Sequence, residues 1–160
     1  MKRMNFLLAV LTFAAAFPHL MCAADIPFEH MVIDTSAKDP WGKIIVDIDN
    51  DGFCDIAVAG RRGPLVWFAY PHWKKSLIAK GGYKTVDGVA GDIDGDGDND
   101  IVLGGLFWYE NPLLNPPRSS GDGWKSHRVA DHPTHDLALA DVDGDGRLGI
   151  ITRDQSEFGR

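Results

Sequence analysis

The sequence predicts an all-β fold of β-propeller blades, four-stranded antiparallel units each carrying a DxDxDG calcium loop, and three observations carry that prediction. An acidic loop is written three times, as Asp47-Ile-Asp-Asn-Asp51-Gly-Phe-Cys-Asp55, Asp92-Ile-Asp-Gly-Asp96-Gly-Asp-Asn-Asp100 and Asp141-Val-Asp-Gly-Asp145-Gly-Arg-Leu-Gly149. Short apolar, β-prone segments flank every copy. The copies begin 45 and 49 residues apart, and four short strands at a period of about 45 residues are the arithmetic of a propeller blade.

Taken in order, an aromatic-led strand pattern opens each unit at Phe28–Ile33, Trp73–Ala79 and Trp124–Ala130, which begin 19, 19 and 17 residues before the first loop aspartate. Directly before each loop comes a small or β-branched run, Lys43–Val46, Gly88–Gly91 and Asp136–Ala140, suited to a crowded inner strand. After the loops come Ile56–Ala59, Ile101–Leu103 and Ile150–Thr152. A further strand is expected at Leu65–Tyr70 and Leu106–Glu110, whose Trp67 and Trp108 lie 41 residues apart and each precede a proline, Pro71 and Pro112, by four. Blades at 43–79 and 88–130 and an incomplete one at 136–160 follow, about two and a half in all, with Phe28–Ile33 as an outer strand ahead of the first. A closed propeller takes at least four blades, so the chain reads as an N-terminal fragment of a longer protein, unless copies assemble into a ring.

The loop chemistry points to Ca2+. A hard cation takes several oxygens at about 2.4 Å, and Asp47, Asp49, Asp51 and Asp55 stand at positions 1, 3, 5 and 9 around Gly52. Phe53 at position 7 would add its carbonyl. Asp92, Asp94, Asp96 and Asp100 repeat the set, with Asp98 adding charge at position 7. In the third loop Asp141, Asp143 and Asp145 remain, Gly149 stands where the fourth carboxylate should be, and Arg147 brings a cation close. The third site is therefore expected to be the weakest. An Asp- and Gly-rich turn needs no metal by itself, but three copies in register favour one.

The first residues address the chain outward. Met1–Asn5 is a short basic start, Phe6–Phe17 an apolar run, and Cys22-Ala-Ala24 offers small residues before Asp25, the pattern of a secretory signal peptide cleaved after Ala24. The run is too short to span a bilayer, which takes about 20 residues. A lipid anchor on Cys22 is disfavoured because His19, Leu20 and Met21 lack the small residue expected before such a cysteine. Cleavage leaves Cys54 alone, so no disulfide can form within the chain, and calcium is the cross-link on offer. The mature chain then has fourteen Lys and Arg against twenty-three Asp and Glu, and eleven of the acids sit at loop positions 1, 3, 5 and 9. No basic stripe exists to neutralise phosphates, so nucleic acid is not an expected partner.

Other chemistry is sparse. His132-Pro-Thr-His135-Asp136 lies ahead of an inner strand, near the expected channel, and makes His135, His132 and Arg153 the candidate catalytic residues, His135 as the base of an elimination. The histidines also have a transition-metal reading, though a loop histidine capping a turn is the commoner outcome. Trp67, Trp108, Trp73 and Trp124 recur at repeat spacing and read as packing between blades; Trp41 stands outside the pattern. Asn111–Gly123 reads as an exposed inserted loop, Arg61-Arg62-Gly63 as a solvated hairpin tip, and Cys54 as buried rather than reactive. No nucleophile elbow, phosphate loop or Cys-x-x-Cys occurs.

The Asp-x-Asp-x-Asp-Gly-x-x-Asp-Ile loop between short strands, with a Trp-Phe or Trp-Tyr strand behind it, resembles the FG-GAP or VCBS repeats of secreted bacterial proteins and integrin-type propellers, over roughly Phe28 to Arg160. The resemblance implies a secreted or periplasmic, calcium-stabilised propeller acting as a scaffold for carbohydrate or extracellular protein binding. It also implies a runner-up, the N-terminal part of a carbohydrate-active lyase or sugar dehydratase.

Overall fold

The computed structural model describes residues 27–81, 87–104, 107–112, 123–131 and 134–153. The chain divides into two compact units, Met1–Met31 and Val32–Arg160. In the first, Pro27–Met31 are described and form no strand. In the second the elements are β1 (Pro40–Val46), β2 (Asp55–Gly60), β3 (Leu65–Ala69), β4 (Lys74–Ala79), β5 (Gly88–Gly91), β6 (Asp100–Leu103), β7 (Phe107–Glu110), β8 (Lys125–Arg128), β9 (Asp136–Ala140) and β10 (Gly149–Arg153). Among the described residues there is no helix.

The strands form two four-stranded antiparallel meanders, β1-β2-β3-β4 and β5-β6-β7-β8, and a pair, β9-β10. Each acidic loop is the turn joining the first strand of a sheet to the second. Its register is the same each time: Val46 faces Asp55, Gly91 faces Asp100 and Ala140 faces Gly149. The first strands of successive sheets, β1, β5 and β9, pack side by side. Four-stranded antiparallel sheets of this order are what propeller-like blades require, and one expected strand is corrected. The expected strand at Phe28–Ile33 is irregular backbone, and Phe28 is exposed. Apolar alternation cannot hold a strand that has no partner ladder, and among the described residues nothing pairs with it.

The core lies between the first two sheets. Alternation along β2 turns Ala57 and Ala59 inward, where they join Ile44, Leu65 and Trp67, while Ile101, Leu103 and Tyr109 come from the second sheet. Full burial of such a side chain is worth about 1.5–3 kcal/mol, and Trp67 supplies the largest single face. The tryptophans do not share one role. Trp124 packs partly against this core, Trp108 lies on the opposite face of its sheet stacked on His127 with ring centroids 4.2 Å apart, and Trp73 meets the edge of Tyr70 at 5.5 Å. Trp41 lies in β1 with the Arg61 guanidinium 4.8 Å above its ring. Arg62 pairs with Asp39 at 3.3 Å on the surface, in keeping with a solvated hairpin tip.

Two close approaches fix the sheets. A Cβ on Gly88 would stand 2.8 Å from both Ile44 Cδ1 and Leu103 Cδ2, so a side chain there would have to displace the two methyl ends that pack against the first residue of β5. A Cβ on Gly60 would stand 2.5 Å from the Lys38 carbonyl oxygen, a backbone atom with no rotamer to move. Gly60→Ala is expected to cost about 1–3 kcal/mol of overpacking. The check is a lowered urea midpoint with an unchanged denaturant slope.

Candidate metal centre

Each loop is folded by its own carboxylates. Asp47 accepts the amides of Asp51 at 3.1 Å and Gly52 at 2.9 Å; Asp92 accepts those of Gly95 at 2.7 Å and Gly97 at 3.1 Å; Asp141 accepts those of Gly144, Asp145 and Gly146. The fifth-position carboxylate takes the seventh amide every time, in Asp51–Phe53, Asp96–Asp98 and Asp145–Arg147. Such tight winding needs positive φ at positions 4 and 6. Glycine serves at Gly95, Gly97, Gly144, Gly146 and Gly52, and Asn50 takes the left-handed region at 56° in the first loop, as asparagine does more readily than most.

This winding brings carboxylate oxygens together. One oxygen each from Asp47, Asp49 and Asp55 lies within 4.8 Å of the others, as do those of Asp92, Asp94 and Asp96, and of Asp141, Asp143 and Asp145. The donor set fits Ca2+, because it is all hard oxygen and anionic. Asp49 Oδ1 is buried with no hydrogen-bond partner, the state of an oxygen arranged for a cation.

The ninth position has a second task that the loop pattern does not announce. Asp55 is fully buried, and its two oxygens accept the amides of Ile48 at 3.1 Å and Tyr70 at 2.9 Å. Asp100, also fully buried, accepts those of Ile93 at 3.1 Å and Asn111 at 2.8 Å. Each clips the start of its loop to the end of the third strand. Asp55 also belongs to the first oxygen cluster; Asp100 lies outside the second. Gly149 can do neither.

Position 7 differs from loop to loop. The Phe53 side chain is exposed and leans on Tyr70, centroids 5.3 Å apart, and Arg147 is exposed. Asp98 is 1% exposed, and neither of its oxygens has a hydrogen-bond partner. Burial pushes its carboxyl up to about 7, with repulsion from Asp96, Asp100, Asp94 and Asp92 adding to it. Burial also lifts Asp100 to about 6 against the pull of the Asn111 and Ile93 amides, and raises Asp49, Asp55 and Asp94. The loops thus hold anionic charge in a medium that disfavours it, a condition that a bound cation would relieve.

One residue that sequence reasoning set elsewhere belongs here. Asn111, expected in an exposed loop, is buried, and its side-chain amide donates to the carbonyls of Ile48 at 2.9 Å and Asn99 at 3.0 Å; residues 113–122 of that insertion lie outside the described residues. Asn99 in turn donates to the Asp47 carbonyl at 2.8 Å. Cys54, at the position of Asn99, is exposed instead of buried. The only advance signal was the polar residue before the ninth position in the second copy.

The candidate catalytic residues form a separate group. His135 Nδ1 is 2.7 Å from Asp136 Oδ1, and Arg153 Nε is 2.5 Å from Asp136 Oδ2. His132 lies outside the described residues. The His135 hydrogen bond, ahead of Arg153, holds the Asp136 carboxyl below the usual range.

Four-stranded antiparallel sheets, each with an acidic loop between its first two strands, define a repeat protein of propeller-like blades. Residues 47–103, from the first loop aspartate to the end of β6, match the family described as FG-GAP-like repeat, and the chain carries that repeat. No curated protein and no solved structure matches the chain. Among the described residues no helix is long and apolar enough to cross a membrane.

The raised carboxyls set a pH dependence. Their folded pKa values exceed the ordinary value of 3.8, so between about pH 4 and 7 the folded state holds more protons than the unfolded, and stability falls as pH rises. The lowered Asp34, near 2, acts below that window. Chelator-treated protein is expected to lose several degrees of melting temperature from pH 4 to 7, and Asp98→Asn to remove the largest single share of that loss, both read by thermal denaturation.

Proposed function

We propose that the chain is an exported, calcium-binding scaffold of FG-GAP-like repeats that presents carbohydrate- or protein-binding surface. The observation that carries the calcium reading is the convergence of carboxylate oxygens within 4.8 Å in all three loops, on a backbone already wound to hold them. Asp47, Asp49 and Asp55 would hold the ion in the first loop, with Asp51 beside them, and Asp92, Asp94 and Asp96 in the second. The bound ion would neutralise the charge that burial penalises and so lock the turn between the first two strands of each sheet. Export rests on the basic, apolar and small-residue pattern of residues 1–24, with the acidic balance of the rest suited to a calcium-rich exterior.

A second reading, the N-terminal part of a carbohydrate lyase or dehydratase, is favoured by one observation. Asp136 bridges His135 and Arg153 at 2.7 and 2.5 Å, which fixes the imidazole through Nδ1 and leaves Nε2 for proton transfer. Release of unsaturated sugar from an acidic polysaccharide, lost in His135→Ala, separates an enzyme from a scaffold.

Extracellular calcium modules bind with Kd of about 10⁻⁴ to 10⁻³ M, so calcium at about 10 mM adds about 1.4–2.7 kcal/mol per site. Thermal melts are expected to rise with calcium and fall with chelator; an unchanged melting temperature rules the calcium reading out. Asp92→Ala is expected to lose more of the calcium-induced shift than Asp141→Ala, because buried Asp98 and Asp100 add negative charge beside the second loop, where the third has Arg147 and Gly149.

A further inference from the structure

We infer that the second repeat holds the first metal loop in its binding shape, so that the first two loops take up calcium cooperatively, with Asn99 and Asn111 as the positioning residues. The inference deepens the calcium reading and rests on it. The contact is made on the two peptide groups that separate Asp47 from Asp49. In the first of them, the Asp47 carbonyl accepts the Asn99 side-chain amide at 2.8 Å while the Ile48 amide donates to Asp55 at 3.1 Å. In the second, the Ile48 carbonyl accepts the Asn111 side-chain amide at 2.9 Å. Turning either peptide swings Asp47 or Asp49, two of the three carboxylates whose oxygens converge in that loop.

Both donors are placed by the second loop. Asn99 is its eighth position and follows Asp98, whose amide donates to Asp96 at 3.2 Å. Asn111 gives its main-chain amide to Asp100 at 2.8 Å and its side-chain amide also to the Asn99 carbonyl at 3.0 Å. Asp100 takes the Ile93 amide at 3.1 Å as well, so Ile93 of one loop and Ile48 of the other, the same position in each, are joined through Asp100 and Asn111. What orders one loop is felt at the other. The second loop is under stress without a cation: Asp98 is 1% exposed, neither of its oxygens has a hydrogen-bond partner, and Asp96, Asp100, Asp94 and Asp92 all repel it. Positive charge among Asp92, Asp94 and Asp96 would relieve that repulsion and steady Asp98 and Asn99 where the first loop needs them. By linkage the first loop, once loaded, strengthens the second by the same factor. The eighth position of the third loop is Leu148, a side chain with no donor, so the Asn99 link does not recur there.

The test reads the first loop by its own thiol. In a Cys22→Ser background Cys54 is the sole cysteine; it stands at the eighth position of the first loop and is exposed, so its alkylation rate followed against calcium gives that loop's apparent affinity. Asp94→Asn keeps an oxygen for the Asp96 amide and removes one anionic ligand of the second loop. It is expected to weaken calcium at the first loop at least about fivefold. Asn99→Leu, which copies the third loop, is expected to do the same, and the double variant to lose clearly less than the product of the two, a non-additivity that independent structural losses do not give. Asp143→Asn, the matching change in the third loop, is expected to leave the first loop's affinity unchanged. Should Asp94→Asn not fold, Asn99→Leu against Asp143→Asn decides. Calcium that moves neither the melting temperature nor the thiol rate of the parent overturns the calcium reading and the inference together. A calcium-raised melting temperature with a thiol rate indifferent to calcium, with first-loop affinity unchanged in Asp94→Asn and Asn99→Leu, or with two losses that simply multiply overturns the inference alone and leaves the calcium reading standing.

Discussion

Everything in this molecule hangs on a buried aspartate that takes two main-chain amides at once. Asp55 joins Ile48 to Tyr70, and Asp100 joins Ile93 to Asn111, so one side chain in each complete repeat fixes the loop, the second strand and the end of the third. A carboxylate in that place satisfies amides that would otherwise be orphaned at the close of a strand. It also imports a negative charge into the core, and that charge sits beside several others. Folding geometry and buried negative charge thus come from the same residue. The third repeat, with Gly149, escapes the charge and loses the tie.

The second consequence is electrostatic. Burial raises the carboxyls of both complete loops, most of all Asp98 and Asp100, while the amides that wind each loop pull the other way. A hydrogen-bonded turn alone would need fewer acids. The excess places the fold's strongest carboxylate repulsion at its most regular sequence feature.

Much of this was legible beforehand. Period-two apolar segments and the loop spacing placed the strands well, and β5 and β9 have the bounds expected of them, because an inner strand wedged between glycine and β-branched neighbours has few alternatives. Convergence of the acids followed from the loop pattern. What stayed hidden depended on partners remote in sequence. Asn111 looks like the start of a polar insertion until the Ile48 carbonyl is placed beside it. Cys54 looks buried by its place in a loop, yet it is exposed, whereas Asn99 at the same position of the second loop is half-buried. Phe28–Ile33 has the composition of a strand and no ladder to join. Asp98 reads as one more loop acid, and only packing shows it shut away without a hydrogen-bond donor.

The bonds from Asn99 to Asp47 and from Asn111 to Ile48 run backward over 52 and 63 residues. A chain made from its N-terminus therefore finishes its first loop late: the carbonyls of Asp47 and Ile48 wait, hydrated, until the following repeat has been synthesised through Asn111. The first repeat is completed by its successor, and its maturation lags its production by one unit.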